Sequence, residues 1–274
     1  MITGAPPNEW RGFQSVIFDC DSTLTAIEGI DELARIGDRY DEIKALTDAA
    51  MGGYVPLEQI YDRRLGTLGP TRADIAAIAD RYRETAVTDA REVVGALQAA
   101  GKRVFIVSGG LLDAVRPFGR WLGVPEDHIR AVAVRYQTVS GVPAADQAGE
   151  RADDRYLETV ASPLTQAHGK SAVARNLLIN AGGRSMLVGD GASDLVAAAD
   201  VDLFVGFTGV VNRPRVAAEA DALVTGTSLA PLLGLALTAA EETTLEATQY
   251  SDLIARSRAM IQSGELNIQK DGSP

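Results

Sequence analysis

The feature that most constrains this chain is a short apolar run that stops at two acidic residues. Ser15 to Phe18 have the composition of a buried parallel strand, and Asp19 and Asp21 follow almost at once. Residues i and i+2 of an extended segment point to the same side, so both carboxylates would occupy one small volume at the strand's carboxyl end. Two like charges there are unfavourable unless a cation neutralises them or one carries a proton. This pattern is typical of a catalytic nucleophile beside an acid/base, held together by Mg²⁺; an acidic turn with a helix cap is the alternative.

A second predicted strand ends at a hydroxyl group and two glycines. The run Gly101–Val107 has the pattern of a turn and a buried strand, and Ser108, Gly109 and Gly110 follow it. A side-chain hydroxyl and unobstructed backbone N–H groups at a strand-to-helix junction are suited to bind a phosphate. Taken alone, the same three residues also fit an ordinary loop.

A third predicted strand, Ser185–Val188, ends at two more acids, Asp190 and Asp194, with Ser193 between them. Upstream, Lys170 opens a helix-like run. Cations are usually found at the opposite end of a helix, so an ammonium group at this position is suited to a bound anion. The alternatives are a solvated lysine and an ordinary capped helix start.

Together these segments predict an α/β fold with a doubly wound, Rossmann-like parallel sheet. Such sheets bind ligands beyond the carboxyl ends of their strands, so the motifs would converge on one crevice. Their order and residue types resemble the haloacid-dehalogenase superfamily of phosphatases and phosphotransferases. The resemblance implies Mg²⁺-dependent hydrolysis of a phosphate monoester through an aspartyl-phosphate, with Asp19 as nucleophile and Asp21 as acid/base.

The same resemblance implies a role for each remaining motif residue. The metal ligands would be the side chains of Asp19 and Asp190 and the backbone carbonyl of Asp21. Asp194 would orient the metal's waters or Lys170. The groups that would hold the substrate's phosphoryl group or touch the substrate are Ser108, Gly109, Lys170 and Ser193.

Between the first two motifs, the segments around Glu28 and Arg64 resemble the cap of the phosphoserine phosphatases. The implied substrate is O-phospho-L-serine. A guanidinium such as that of Arg64 suits its carboxylate, and the Glu28 carboxylate suits its ammonium. Without the resemblance, Glu28 would be interpreted as a surface acid and Arg64 as half of an exposed pair with Arg63. One departure is Leu57, where the family commonly has phenylalanine.

The domain organisation follows from the predicted elements. Residues 13–25 and 86–227 form the α/β core. Residues 26–85 form a helical cap, with helices predicted over Asp31–Ala50, Pro56–Gly66 and Thr71–Thr85. Within the core, 129–148 is predicted to be a small hairpin insert. Residues 228–274 are predicted to be a helical C-terminal extension with a frayed tail, and residues 1–12 a loose arm.

The composition of the chain limits the classes of molecule that it is expected to bind. A net charge of −11 argues against nucleic acid and anionic membranes, whereas an apolar content of 46% is ample for a core. The single cysteine, Cys20, excludes an internal disulfide. No signal peptide is recognisable, and Leu229–Ala240 is too short to cross a membrane. We therefore expect a cytoplasmic enzyme that acts on a small-molecule phosphate ester; the sequence leaves a homodimer open.

Two alternatives to the predicted function remain at this point. The same catalytic groups would serve another small phosphate ester if the cap binds a different leaving group. In a different class of protein, an aspartate, a hydroxyl residue and a lysine also form the phosphoryl-accepting site of receiver domains in signalling. Asp21 and the cap argue against the receiver domain, because a built-in acid/base accelerates hydrolysis of the phosphorylated form.

Overall fold

The structure, a computed structural model, describes residues 2–3, 5–51, 54–55, 57–137, 151–179 and 181–269. Its helices in chain order are α1 (Gly29–Ile36), α2 (Tyr40–Met51), α3 (Leu57–Leu68), α4 (Arg72–Glu84), α5 (Ala90–Ala99), α6 (Leu112–Leu122), α7 (Gly169–Leu178), α8 (Ala192–Ala197), α9 (Pro214–Glu219), α10 (Leu233–Ala236), α11 (Ala239–Glu246) and α12 (Ser251–Gln262). Its strands are β1 (Ile2–Thr3), β2 (Ser15–Phe18), β3 (Arg103–Leu111), β4 (Ile129–Val132), β5 (Val134–Gln137), β6 (Arg155–Thr159), β7 (Ser185–Gly189), β8 (Leu203–Phe207), β9 (Ala222–Val224) and β10 (Leu266–Ile268).

The main sheet has eight strands in the order β1-β10-β9-β8-β7-β2-β3-β4. The six from β9 to β4 are parallel to their neighbours, which confirms the doubly wound α/β fold. The strand β2 lies between β3 and β7, with Ser15 in register with both Arg103 and Ser185. The chain therefore leaves β2 toward one side and later returns on the other. This switch point creates a crevice at the carboxyl end of β2.

The three predicted motifs lie at that edge of the sheet. Every residue of β2 and β7 is buried, as expected for parallel strands covered on both faces. The strand β3 is longer than predicted: it includes Ser108, Gly109 and Gly110 and continues to Leu111, with an irregular register against β4. Ser108 therefore lies in a bulged strand end rather than in the loop that follows it.

The cap consists of α1 to α4 and is inserted directly after β2. Its two connections to the core run side by side, where Thr25 pairs with Ala86. The predicted helix over 31–50 is two helices, because Asp38 adopts a left-handed backbone conformation (φ 55°) that ends the first one. The helix α4 begins at a capping box, in which Thr71 and Asp74 each accept a hydrogen bond from the other's backbone N–H.

The predicted hairpin over 129–148 requires correction. Its first part, β4, belongs to the main sheet, where it pairs in parallel with β3. The antiparallel pair is instead β5 with β6, and β6 lies beyond the predicted end of the insert. Residues 138–148 of the predicted hairpin lie outside the described residues. The small sheet contacts the cap, since the Thr159 hydroxyl donates to Asp62 in α3 at 2.7 Å.

Both ends of the chain add strands that were not predicted. The C-terminal extension is helical up to Gln262, but β10 then pairs antiparallel with β9, and β1 pairs with β10. Leu266 and Ile268 are buried in this arrangement. The loose arm was also wrong where it is described, because Trp10 is only 2% exposed. Throughout the described part of the chain, every helix is too short or too polar to cross a membrane.

Candidate active site

The lysine that opens α7 holds two of the predicted aspartates together. The Lys170 ammonium lies 2.7 Å from Asp19 Oδ2 and 2.7 Å from Asp194 Oδ1, and all three side chains are buried. The other oxygen of Asp19 accepts a hydrogen bond from the Cys20 backbone N–H at 2.7 Å. The second oxygen of Asp194 accepts one from the Gly191 backbone at 3.0 Å. Segments that are far apart in sequence thus converge on one ammonium group.

Three carboxylates at this edge form a cluster with the spacing of a metal site. Ligand atoms of Asp19, Asp190 and Asp194 all lie within 4.8 Å of one another. Asp190 Oδ1 is buried and has no hydrogen-bond partner, which leaves a lone pair directed into the protein without a donor. Crowded acids with an unsatisfied oxygen are the donor set that a hard divalent cation requires.

An arginine that sequence reasoning missed completes this side of the site. Arg213 Nε donates to Asp190 Oδ2 at 2.9 Å, and its terminal nitrogen lies 3.4 Å from Glu28. Glu28 also accepts a hydrogen bond from the Ser22 hydroxyl at 2.8 Å. Arg213 is in the loop after β8, immediately before α9. A cation in a loop at the carboxyl edge of the sheet was the available signal for it.

Burial and mutual repulsion govern protonation at the site. Burial, together with the charge of Asp194, raises the pKa of Asp19 well above its usual range, although Lys170 opposes this shift. Burial raises the pKa of Asp190 to about 6, with Arg213 acting in the opposite direction. For Lys170, burial favours the neutral amine, but the carboxylates of Asp19 and Asp194 outweigh it and raise the pKa. The ammonium therefore stays charged, whereas the acids compete for protons.

Asp21 is held from the cap. Its Oδ1 accepts a hydrogen bond from the Tyr82 hydroxyl at 2.6 Å and one from the Gly29 backbone N–H at 2.7 Å. Burial raises the pKa of Asp21, and the hydrogen bonds from Tyr82, Gly29 and the Ser108 hydroxyl oppose this shift. Burial also raises the pKa of Tyr82, so its hydroxyl keeps its proton. The contact between Asp21 and Tyr82 was not predicted.

The two predicted cap residues face the same cavity. Arg64 is buried and donates to the Thr47 hydroxyl at 3.0 Å, while Arg63 beside it is exposed, so the two arginines do not form an exposed pair. Glu28 is held by Ser22 and Arg213 and is not a free surface acid. The side chain of Leu57, the departure from the family pattern, lies outside what the structure describes.

A cavity of about 70 Å³ lies between the cap and the sheet edge. Seven of the predicted site residues line it: Asp19, Asp21, Glu28, Arg64, Gly109, Lys170 and Ser193. The other three, Ser108, Asp190 and Asp194, are fully buried beside them. The Ser108 hydroxyl accepts the Gly110 backbone N–H at 2.9 Å. The predicted residues therefore form one site, in which five acids meet two cations, and the unpredicted Arg213 adds a third.

Comparison with known proteins assigns the family. The model of the haloacid dehalogenase-like hydrolases matches residues 13–202, which include the first part of the core, the cap and the second part of the core up to the residue before β8. Together with the parallel sheet, the inserted cap and the clustered aspartates, this shows that the chain belongs to that family. It is a phosphatase-type enzyme that resembles the phosphoserine phosphatases.

Two curated relatives and one solved structure illustrate the resemblance. Human phosphoserine phosphatase is 30% identical over 203 residues, covering 74% of this chain and 84% of the human protein. The chloroplastic phosphoserine phosphatase of Arabidopsis thaliana is 30% identical over 218 residues, covering 78% of this chain and 70% of the relative. A structure described as a phospho-aspartyl intermediate analogue of phosphoserine phosphatase superposes with a TM-score of 0.66 at 25% identity, covering 81% of this chain and 98% of that one.

The ion pairs of Lys170 predict a large effect on stability. We expect Lys170→Met to lower the free energy of unfolding by about 3–5 kcal/mol at pH 8, because it leaves buried carboxylates without their cation. The loss should be smaller at pH 5. The pKa of Asp19 is raised in the folded protein, so the folded state gains protons more readily as the pH falls, and protonation relieves the repulsion. Urea unfolding with a chelator present measures both values.

Lys44→Met is the matched control. Lys44 also forms ion pairs with aspartates, Asp48 at 2.5 Å and Asp31 at 3.9 Å, but its side chain is 38% exposed. Its removal should cost less than about 1 kcal/mol. Equal losses in the two variants would show that the charges around Lys170 do not govern the stability of this edge.

Proposed function

We propose that this protein hydrolyses small phosphate monoesters with the help of Mg²⁺ and that its substrate is O-phospho-L-serine. The observation that carries the proposal is the pairing of Asp19 with Lys170 at the floor of a cavity closed by a cap. A nucleophilic carboxylate next to a fixed ammonium group is suited to attack a phosphoryl group whose oxygens the ammonium holds.

The charges of the site support a bound divalent cation. The acids are Asp19, Asp21, Glu28, Asp190 and Asp194, and the cations are Lys170, Arg64 and Arg213. The negative excess is costly in a buried site, and Asp190 Oδ1 has no hydrogen-bond partner. Side chains of Asp19 and Asp190 and the backbone carbonyl of Asp21 would hold Mg²⁺. When bound, it would offset the repulsion between the attacking carboxylate and the phosphate.

The chain's own groups account for both half-reactions. In the first, an oxygen of Asp19 forms a bond to phosphorus, the ester P–O bond breaks, and Asp21 gives its proton to the leaving oxygen. In the second, Asp21 takes a proton from water, the water oxygen attacks phosphorus, and the bond to Asp19 breaks. Lys170 and the Ser108–Gly109 segment hold the phosphoryl oxygens, and Asp194 fixes Lys170.

The cap residues support phosphoserine as the substrate. The guanidinium of Arg64 faces the cavity, and the pKa of Arg64 is lowered by burial, so a substrate carboxylate would relieve a desolvated charge. The Glu28 carboxylate is suited to bind the substrate ammonium. Arg213 already pairs with Glu28 and would share this carboxylate with the ammonium. Relatives named phosphoserine phosphatase agree with this assignment. Another small ester remains the alternative.

The protein class, location and assembly were also predicted. Membership of a hydrolase family argues against the receiver domain, which stores its phosphoryl group. Location in the cytoplasm and assembly as a homodimer stay predictions, as do the boundaries between the core and the cap.

The nucleophile is tested by replacing Asp19. Asp19→Asn should lower kcat for phosphoserine by at least ~10⁴-fold, as expected when a member of a catalytic unit is removed. Rapid acid quench with labelled substrate should trap phosphate on the wild-type protein and not on this variant. Asp153→Asn, at an exposed aspartate paired with Arg151, is the control and should behave as wild type. Retention of more than about a tenth of the activity by Asp19→Asn would exclude the mechanism.

Metal binding is tested without measuring turnover. Mg²⁺ at about 100 times its Kd should stabilise the folded protein by about 2.7 kcal/mol at pH 7.5. At pH 5 the gain should shrink, because the pKa of Asp190 is about 6 and its proton then competes with the metal. Thermal unfolding with and without Mg²⁺ measures the difference. Asp190→Asn should lose the gain at pH 7.5. A gain that is the same at both pH values and in the variant would contradict the assigned ligands.

Substrate recognition is tested by the neighbouring arginines of α3. Arg64→Ala should lower kcat/KM for phosphoserine by ~10²-fold or more, the scale of a lost charge-assisted contact of roughly 3 kcal/mol. It should barely affect p-nitrophenyl phosphate, which has no carboxylate. Arg63→Ala is the matched control and should change neither. Glu28→Gln should show the selectivity of Arg64→Ala at smaller amplitude. Equal losses on both substrates would mean that Arg64 supports the cap or the phosphate instead.

A further inference from the structure

A buried tyrosine of the cap touches the predicted acid/base. Tyr82 lies near the end of α4 and is 1% exposed, with its ring packed on Phe118 at a centroid distance of 5.4 Å. Its hydroxyl donates to Asp21 Oδ1 at 2.6 Å. Packing on the ring therefore fixes where the hydroxyl points.

The first residue of α1, Gly29, leaves room for this hydroxyl. The Gly29 backbone N–H donates to the same Oδ1 at 2.7 Å. A Cβ atom at Gly29 would lie 2.2 Å from the Tyr82 hydroxyl oxygen, a distance that no real contact allows. Only glycine lets the backbone N–H and the phenol reach one carboxylate oxygen together. The two ends of the cap thus meet at Asp21.

The Gly29 N–H and the Tyr82 hydroxyl make the two carboxylate oxygens of Asp21 inequivalent, because both donate to the same oxygen. Oδ1 accepts both hydrogen bonds. A proton on Oδ1 would therefore point toward one N–H donor and one O–H donor, neither of which can accept it there. Oδ2 lies toward Gly110, where a Cβ atom would come within 2.8 Å of it. Asp21 and Gly110 both line the cavity. The Ser108 hydroxyl, which also hydrogen-bonds Asp21, can accept a hydrogen bond as well as donate one, so it does not oppose a proton on Oδ2. The exchangeable proton of the acid therefore belongs on Oδ2.

We propose that Tyr82 is a positioning residue for the acid/base step: it holds the Asp21 carboxyl group so that Oδ2 faces the leaving oxygen of the substrate. The inference rests on the proposed function, because it requires Asp21 to be the acid. As the bond from Asp19 to phosphorus forms and the ester bond breaks, the proton moves from Asp21 Oδ2 to the leaving oxygen. The Tyr82 hydroxyl keeps its own proton throughout.

The dependence on leaving group separates this role from a structural one. A p-nitrophenolate leaves readily without a proton, whereas an alkoxide does not, so misplacing the acid should harm poor leaving groups most. The test measures kcat/KM of wild type and Tyr82→Phe on p-nitrophenyl, phenyl and benzyl phosphate, none of which has a carboxylate or an amine for the cap. Tyr82→Phe should lose about tenfold or more on benzyl phosphate and less than about threefold on p-nitrophenyl phosphate, since acid catalysis contributes at least ~10²-fold.

Tyr61→Phe is the matched control. Tyr61 is also a buried tyrosine that lines the cavity, but its hydroxyl donates to the Gly109 backbone carbonyl at 2.8 Å and does not contact Asp21. Any loss in this variant should be the same across the three substrates. Gly29→Ala is a second variant, in which the added Cβ displaces the phenol while the tyrosine remains. It should reproduce the leaving-group dependence of Tyr82→Phe.

The outcomes separate the two proposals. A wild-type protein that hydrolyses none of the esters, phosphoserine included, would overturn the proposed function and this inference with it. A wild-type protein that hydrolyses them, with Tyr82→Phe losing equally on all three or losing nothing, would overturn the role of Tyr82 alone. A steeper dependence on leaving group in both Tyr82→Phe and Gly29→Ala, absent from Tyr61→Phe, would establish it.

Discussion

The two ion pairs of Lys170 are the interaction on which the arrangement of this site depends. Asp19 follows β2, Asp194 lies in α8 after β7, and Lys170 is the second residue of α7, so one ammonium joins the ends of three segments. A buried charge is tolerated only when it is paired and hydrogen-bonded. Here each carboxylate has a backbone N–H on its other oxygen, from Cys20 and from Gly191. Removing the lysine would leave two desolvated anions close to each other. The position of Asp19, the proposed nucleophile, and the stability of this edge of the sheet therefore have one cause.

The reaction side of the site was predictable because each of its signals is local. An apolar strand and the acid that ends it are adjacent in sequence, and parallel strands bring their ends to one edge. Asp19, Ser108, Asp190 and Lys170 could thus be assigned to one crevice. Arg213 and Tyr82 were missed, because 185 residues separate Arg213 from Glu28 and 61 separate Tyr82 from Asp21. Only the place of Arg213 in a loop at that edge of the sheet pointed to it. Neither residue lies in a sequence motif that indicates a functional site, and a tyrosine in an amphipathic helix is ordinarily part of the core.

The errors in the fold prediction have a related origin. The strand β10 has three residues, too few for an alternating pattern to be distinguished from a polar tail. Its place is decided by β9, whose edge would otherwise be exposed, and by the helices of the extension that bring the chain back. Similarly, β4 has the sequence of a hairpin strand, but its partner is β3 rather than the next segment. Pairing between distant segments is a property of the whole sheet and leaves little trace in any one strand.

Under the proposed function, the cap contributes to both substrate recognition and proton transfer, and this geometry joins the two. Arg64 lines the cavity from α3, while Gly29 and Tyr82 hold Asp21 from the first and last helices of the cap. If Asp21 is the acid, a cap that moves away takes the donor Tyr82 with it, and the carboxyl group loses the contact that distinguishes its two oxygens. A substrate that binds Arg64 therefore favours the cap position in which the acid is correctly oriented, whereas water alone offers no such contact. Binding energy from the far end of the substrate would in this way be used at the scissile bond.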